Sequence, residues 1–397
     1  MIRLSASAID NWKSCPTRWL NSNIHRVRKV EETDSRRTGT SWHKVHELNR
    51  DMDEITEYIN EQYTTVPPYK TAEEWEIERV ILLYCFSGYN WYYDQQPDQY
   101  TIVAIEIEFE MPLYDADGNE IKGVTVVGKI DQIVQDEYGN LYVREFKSTS
   151  LTINDEYWDH LNLDPQVSIY VQAANWLRVN GMLGEYGIGN RTPMIRRVLY
   201  NVWHKPKIGP KFITQKASKE LVETGVYCEQ KFKIIDGLEI FINNVTAIIE
   251  PGKKEGTFAI YETPDMFGAR LLQDVVERPE FYFQQKELCR TPEQMVKFQA
   301  ELLNIYTMMK YQLKNELWYT NDKQCNARFR CEYKALCDNG VVVDPADPPD
   351  GYAVRKQLDN CEVCKGVKGG VRGNENIIDG VVMCDYCHAE QMNKEKK

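Results

Sequence analysis

Residues 124–149 read VTVVGKIDQIVQDEYGNLYVREFKST, and the fold turns on how this stretch is understood. Tyr138, Gly139 and Asn140 carry turn chemistry, and β-branched and aromatic residues flank them, so the pattern predicts two antiparallel strands. With the turn centred near Tyr138, Asp131 and Glu145 stand equally far from it and face each other across the ladder. Alternation places Lys147 on the side of Glu145 and turns Phe146 toward the core. Carboxylates so placed repel, and a cation between them removes the repulsion. Oxygen ligands of this kind suit magnesium or manganese, which could activate a water and hold a phosphate oxygen. Lys147 would then orient that water or offset charge building on phosphorus. An isolated E-x-K is better explained as a solvated Glu/Lys pair on a surface hairpin, so the rest of the chain has to decide.

At 397 residues the chain can hold one domain of about 300 residues and a small appendage. A net charge of −12 argues against a protein that coats nucleic acid generally, although it permits a local basic channel. No apolar run is long enough to span a bilayer, and the start, MIRLSASAIDNWKSCP, lacks the pattern of a signal peptide. A cytoplasmic protein without membrane association is expected. Eleven cysteines in such a chain point to metal or cluster ligation before disulfides. Cys85, Cys228 and Cys289 lie in apolar surroundings and read as core residues.

Taken in order, Ser5 or Ser7 can cap a first helix, and Cys15-Pro16 leads to a second short one. A basic arm, RVRKVEETDSRR, precedes Gly39, which opens a helix through His43, His46 and Leu48. The acidic stretches 51–62 and 72–78 read as solvated helix faces, with Trp75, Ile77, Val80, Leu83 and Tyr84 buried. Residues 101–113 alternate as a strand, with Glu106, Glu108 and Glu110 on one side, so a three-stranded meander is expected. Those glutamates could approach a metal, but an exposed acidic face accounts for them as well. Asp164-Pro165 caps a helix in which Gln166 and Tyr170 share a face. The pair could touch a nucleic-acid strand or be ordinary amphipathic-helix residues. Lys205, Lys207 and Lys211, in the most basic segment, are candidates for phosphate contacts, although such a loop is solvated by default. A helical region to about residue 248 is expected next, then a strand in FYFQQKELCR. Thr291 and Gln294 form a capping box for a helix with Met295, Phe298, Leu302, Ile305 and Met309 as its apolar stripe.

Cys325, Cys331 and Cys337 are separated by five residues each, unlike a close zinc knuckle. Thiolates so spaced, with one remote partner, suit an iron–sulfur cluster better, while zinc or free thiols remain open. After an acidic, proline-rich linker at 341–354 come Cys361 and Cys364, then Cys384 and Cys387 nineteen residues beyond. Paired C-x2-C knuckles at that distance predict a zinc ribbon over 355–397, a unit too small to fold without its metal.

LSASAIDNWKSCP, the G-x-x-x-H ending at His43, GKID ending at Asp131, EFK at 145–147 and the Gln166/Tyr170 pair occur in an order that resembles the PD-(D/E)xK nuclease superfamily. The closest likeness is to its RecB-like branch, which includes CRISPR-associated and phage exonucleases. The resemblance covers most of residues 4–337. It implies an α/β fold: a restriction-endonuclease-like core, a central mixed sheet flanked by helices, with helical additions across 1–340. It implies His43, Asp131 and Glu145 as ligands of magnesium or manganese, Lys147 as the catalytic lysine, and Gln166 and Tyr170 as the Q-x-x-x-Y pair that positions DNA. It further implies that Cys15 joins Cys325, Cys331 and Cys337 around a 4Fe-4S cluster that staples the two ends of the domain. The appended ribbon departs from the simplest members.

The expected function is thus a metal-dependent DNA exonuclease acting on ends or single strands, in recombination, repair or phage DNA processing. The chain carries no G-x-x-x-x-G-K-[ST] loop, so unwinding would fall to a helicase or recombinase partner. The alternative is a non-catalytic clamp that binds DNA ends or junctions, for which the full Asp131, Glu145 and Lys147 set would be superfluous.

Overall fold

The computed structural model describes residues 2–30, 34–48, 51–67, 69–97, 99–237, 239–327 and 330–354, and the backbone alone of 377–378 and 381–382. Two compact units result: Met1–Ala6 with Thr33–Met309, and Ser7–Glu32 with Lys310–Lys397.

The first unit is built on a six-stranded sheet. Its strands are Ile2–Leu4 (β1), Thr101–Tyr114 (β2), Glu120–Gln135 (β3), Leu141–Thr149 (β4), Arg197–His204 (β5) and Phe283–Cys289 (β6). The expected hairpin is β3 and β4, paired antiparallel with Gln135 opposite Leu141 and Gln132 opposite Arg144. That register centres the turn on Tyr138. Asp136 holds the turn by accepting the Tyr138 and Asn140 N–H groups, and Gly139 supplies the φ of 84° that a side chain would resist. β2 completes the meander, antiparallel to β3. β1 runs parallel to β3, β5 parallel to β4, and β6 antiparallel to β5, so the sheet is mixed.

Helices cover both faces. On the face where Phe146 points, Asp34–Glu47 (α1), Ala72–Asp94 (α2) and Pro264–Glu277 (α4) contribute Trp42, Phe86, Tyr89 and Phe267 to one aromatic core with Trp203 and Phe283. Trp42 stacks on Trp203 with ring centroids 4.2 Å apart. On the face of Glu145 lies Pro165–Val179 (α3), which starts as its sequence predicts: Pro165 is in the first turn and Asp164 accepts from the Gln166 and Val167 N–H groups. The Thr291/Gln294 capping box also forms, opening Pro292–Asn315 (α5). Phe298, Leu302, Ile305 and Met309 are buried along α5. A central mixed sheet flanked by helices fits a restriction-endonuclease-like fold.

Four local expectations are corrected. α1 begins at Asp34, not near Gly39, so Arg37 is helical and bonds Glu78 rather than extending a basic arm. Glu78 is itself 8 % exposed, contrary to a solvated face, because Arg37, Lys70 and Tyr63 all donate to its carboxylate. The region to residue 248 is helical only over Gln215–Thr224 and then forms short strands, among them Ile240–Ile242 paired with Val245–Thr246. Asn243 and Asn244, at φ 49° and 66°, make the tight turn between them, a hairpin signal that outweighs helical periodicity. In β2, Glu108 and Glu110 are exposed as expected, but Glu106 adopts φ 56° and its largely buried carboxylate pairs with Lys129.

The second unit joins the two ends of its sequence. Val27–Lys29 pairs antiparallel with Tyr352–Val354, which lie in the stretch read as a linker. Trp12 Nε1 donates to Gln312 Oε1 at 2.8 Å, Tyr333 Oη to the Val27 carbonyl at 2.6 Å, and Trp19 and Tyr333 are fully buried. The zinc-ribbon cysteines Cys361, Cys364, Cys384 and Cys387 lie outside the described residues.

Removing Glu78 takes away the buried carboxylate to which Arg37, Lys70 and Tyr63 all donate, so Glu78→Ala should lower unfolding free energy by about 3 kcal/mol in urea titrations at neutral pH. Burial acts to raise the Glu78 pKa, but the hydrogen bonds from Arg37, Tyr63 and Lys70 outweigh it and hold it low. A depressed carboxylate stabilises above its unfolded value and loses that contribution as pH falls through its folded one, so wild type and variant should converge in acid. A difference below about 1 kcal/mol at neutral pH would show the cluster to be energetically idle.

Candidate active site

Beyond the Gln132–Arg144 pair, β3 and β4 part. The Phe146 N–H then donates not to a ladder carbonyl but to Asp131 Oδ2, at 2.9 Å. His43 of α1 approaches the same oxygen through Nδ1, at 3.2 Å. Alternation along β4 brings Glu145 and Lys147 to the other face, where the Lys147 ammonium bonds Glu145 Oε1. Gln166 of α3 donates to that oxygen too, at 2.8 Å, and lies 2.9 Å from the Tyr170 hydroxyl. His43, Asp131, Glu145, Lys147, Gln166 and Tyr170 are therefore gathered in one place. Asp131 and Glu145 are 8 % and 1 % exposed, so their charges act across little solvent.

The two carboxylates are set apart. Burial pushes both toward the neutral form, but His43, Lys147 and the Phe146 N–H overcome it at Asp131, which stays well below the usual range. At Glu145, burial and then the Asp131 charge push the pKa up to about 7 despite Lys147. Burial alone would lower the His43 pKa, yet the Asp131 carboxylate holds it above its ordinary value. Lys147, whose burial acts downward, is raised by Glu145 and stays a cation.

One polar atom stands out. Among the described residues, Glu145 Oε2 is buried and has no hydrogen-bond partner, although Oε1 has two donors. A buried carboxylate oxygen left unsatisfied beside a second carboxylate is a donor set that suits a hard divalent ion. His43 Nδ1 is engaged with Asp131, and among the described residues no three His, Cys, Asp or Glu side chains already form a single-ion cage.

Two tyrosines of this site escaped the sequence reading. Tyr200 pairs with Glu145 in the parallel β4–β5 register and is raised by burial, then by Tyr157 and Glu145. Tyr157, raised by burial, senses the Lys147 charge. The signal for Tyr200 was its place on the strand beside the E-x-K, visible only once the parallel partner is known. Of the lysines, Lys205 follows β5 directly and its N–H bonds the Thr149 carbonyl at the end of β4. Lys207 and Lys211 are exposed further along, with no bond to the carboxylates.

In the second unit, Cys15, Cys325, Cys331 and Cys337 line one small cavity with Arg18 and Tyr333. Cys15 sits just before the helix Pro16–Trp19, and its Sγ accepts the Asn321 N–H at 3.4 Å. Cys325 and Cys331 are linked through the Cys331 N–H to Cys325 carbonyl bond of 3.1 Å. All four thiols are free, and the Cys331 and Cys337 pKa values are raised by burial first.

A mixed sheet with helices on both faces, carrying an acid on one strand and E-x-K on the next, defines a class of hydrolytic proteins. The model of the PD-(D/E)XK nuclease superfamily matches residues 3–338, and the chain belongs to that superfamily. No curated protein matches the chain. No helix of the described residues is long and apolar enough to cross a membrane.

Stability should report these charges. Glu145 and His43 both have raised folded pKa values, so each stabilises the chain at lower pH and loses that contribution as pH rises through its folded value. Asp131, depressed, acts in the opposite sense only at acid pH. In chelator-treated protein, melting temperature should therefore fall between about pH 6 and 8, and Glu145→Gln should flatten the slope. An unchanged slope in that variant would mean that Glu145 is not the group that titrates.

Proposed function

We propose that this chain is a magnesium- or manganese-dependent deoxyribonuclease, an exonuclease that works on DNA ends or single strands in the cytoplasm. The observation that carries the proposal is the unsatisfied Glu145 Oε2 beside Asp131, with Lys147 held on the same carboxylate. Asp131 and Glu145 would hold the ion, with His43 completing the set. When bound, the ion supplies Lewis acidity and a water of lowered pKa.

The chain's own residues do the rest. Lys147, kept protonated by Glu145, offsets the negative charge that develops on the phosphoryl oxygens. Gln166 fixes Glu145 Oε1 and keeps Oε2 turned to its task, and the Tyr170 hydroxyl lies next to it to meet a strand. His43 and the Phe146 N–H lock the Asp131 carboxylate in orientation. Lys205, Lys207 and Lys211 offer phosphate contacts beyond the end of β5. A helicase or recombinase would deliver the DNA.

For the second unit, the reading is a 4Fe-4S cluster held by Cys15, Cys325, Cys331 and Cys337. What supports it is the convergence of four free thiols, from both ends of the sequence, on one cavity. Cys361, Cys364, Cys384 and Cys387 are proposed to bind zinc in a ribbon.

End-labelled single- and double-stranded DNA with manganese tests the enzyme. Wild type should degrade it from an end, and Lys147→Ala should lose about 10²–10³ in rate while DNA binding persists. Binding without cleavage by wild type would instead favour the end-binding clamp. Protein purified without oxygen should be brown, with broad absorption near ~400 nm that Cys331→Ser abolishes. A colourless wild type with zinc as its sole metal would remove the cluster.

A further inference from the structure

We propose that the first unit carries a second ligand site, a pocket for a nucleobase on the opposite side of β4 from Glu145. Arg144 and Phe146 point away from Glu145 and Lys147, and they line a cavity of about 480 Å³. That volume falls within the range of small-ligand sites, roughly 300–1,000 Å³.

The lining has the chemistry that a base requires. Half-buried Tyr92 and Tyr93 of α2 line it with aromatic surface against which a base of any identity can pack, backed by the buried ring of Phe283 from β6. Gln96 donates its amide N–H to the Tyr92 carbonyl at 3.3 Å, and Gln284 donates to the Glu280 carbonyl at 3.1 Å. Both amides are thereby fixed, and each keeps Oε1 as an acceptor for the N–H groups on a base edge. The Tyr93 hydroxyl is buried beside Asn201 without a hydrogen bond of good geometry, a second polar group awaiting a partner. Arg144 is held by Gln132 Oε1 at 3.4 Å and lies over the Tyr100 ring, 5.3 Å from its centroid, a fixed cation at the wall. Glu280 on the same lining disfavours a polyphosphate, so the ligand is a nucleoside or monophosphate, or one unpaired base of a strand.

The pocket also has a physical line to the carboxylates. His46, part of the lining, stacks on Phe146 with ring centroids 3.6 Å apart and planes 7° from parallel. The Phe146 N–H is the donor that holds Asp131. The pocket lining therefore includes the stack whose backbone orients an acid on the other face.

Binding stands independently of cleavage, so it is read without added divalent ions, on the full chain, by saturation-transfer NMR and calorimetry. The probes are the four deoxynucleosides, their monophosphates and a single-stranded hexanucleotide. At least one nucleoside, which has no phosphate for the nuclease centre to grip, should bind with Kd below about 1 mM. Tyr92→Ala and Gln284→Ala, checked for folding by circular dichroism, should each weaken it about fivefold or more, whereas Lys147→Ala should leave it unchanged. A hexanucleotide that displaces the nucleoside assigns the base to a strand, and one that does not assigns it to a free nucleotide. No nucleoside binding up to about 10 mM, or equal affinity in both folded pocket variants, or loss in Lys147→Ala, overturns the proposal.

Discussion

Two carboxylates buried beside each other, Asp131 and Glu145, set the terms for the first unit. Placed symmetrically, they would share one proton and lose their separate roles. The chain avoids this by giving each a different neighbourhood. Asp131 receives a backbone N–H and an imidazole, while Glu145 receives an ammonium and an amide on one oxygen only. Those four partners come from three elements, His43 from α1, Phe146 and Lys147 from β4 and Gln166 from α3, so the arrangement exists only when helices are packed on both faces of the sheet. The aromatic core around Trp42, Phe86, Phe146 and Trp203 supplies the rigidity that keeps them there.

β4 concentrates this division of labour in four consecutive residues. Arg144 and Phe146 belong to the pocket and core face, Glu145 and Lys147 to the face of the paired carboxylates. A one-residue slip of register would exchange the two sets, and the Asp136 turn is the device that prevents it. Net charge says little about such a site. A chain of charge −12 still keeps Lys147 cationic beside Glu145, and the Asp131 carboxylate holds the His43 pKa above its ordinary value.

Much of this was legible in the residues because the relevant signals are local. The turn at Tyr138–Asn140 fixes the hairpin register, and the caps at Asp164 and Thr291 start their helices where expected. The juxtaposition of Asp131, Glu145 and Lys147 follows from that register, while reading them as a site took the motifs elsewhere in the chain. What stayed hidden depends on tertiary partners. Glu78 looks solvated until Arg37, Lys70 and Tyr63 are seen around it, and Tyr200 joins the site only through a parallel partner more than fifty residues away. Glu106 breaks the alternation of its strand by adopting a left-handed backbone, which nothing in TIVAIEIEFEMPL announces. Asn243-Asn244 was readable as a turn but was submerged in a segment of helical composition.

The joining of chain ends in the second unit bears on the order in which the protein is made. Cys15 and Asn321, in direct contact, are 306 residues apart, and closing so long a loop in a flexible chain costs roughly 5 kcal/mol of entropy. The first unit, which contains both Met1–Ala6 and everything from Thr33 to Met309, closes most of that loop when it folds. During synthesis, Trp12, Cys15 and Trp19 therefore emerge about 300 residues before Gln312, Trp318 and Asn321, their partners in this unit. Until those partners are made, this tryptophan- and thiol-bearing stretch lacks the contacts that bury it, the situation in which a chaperone or a reducing environment protects a chain.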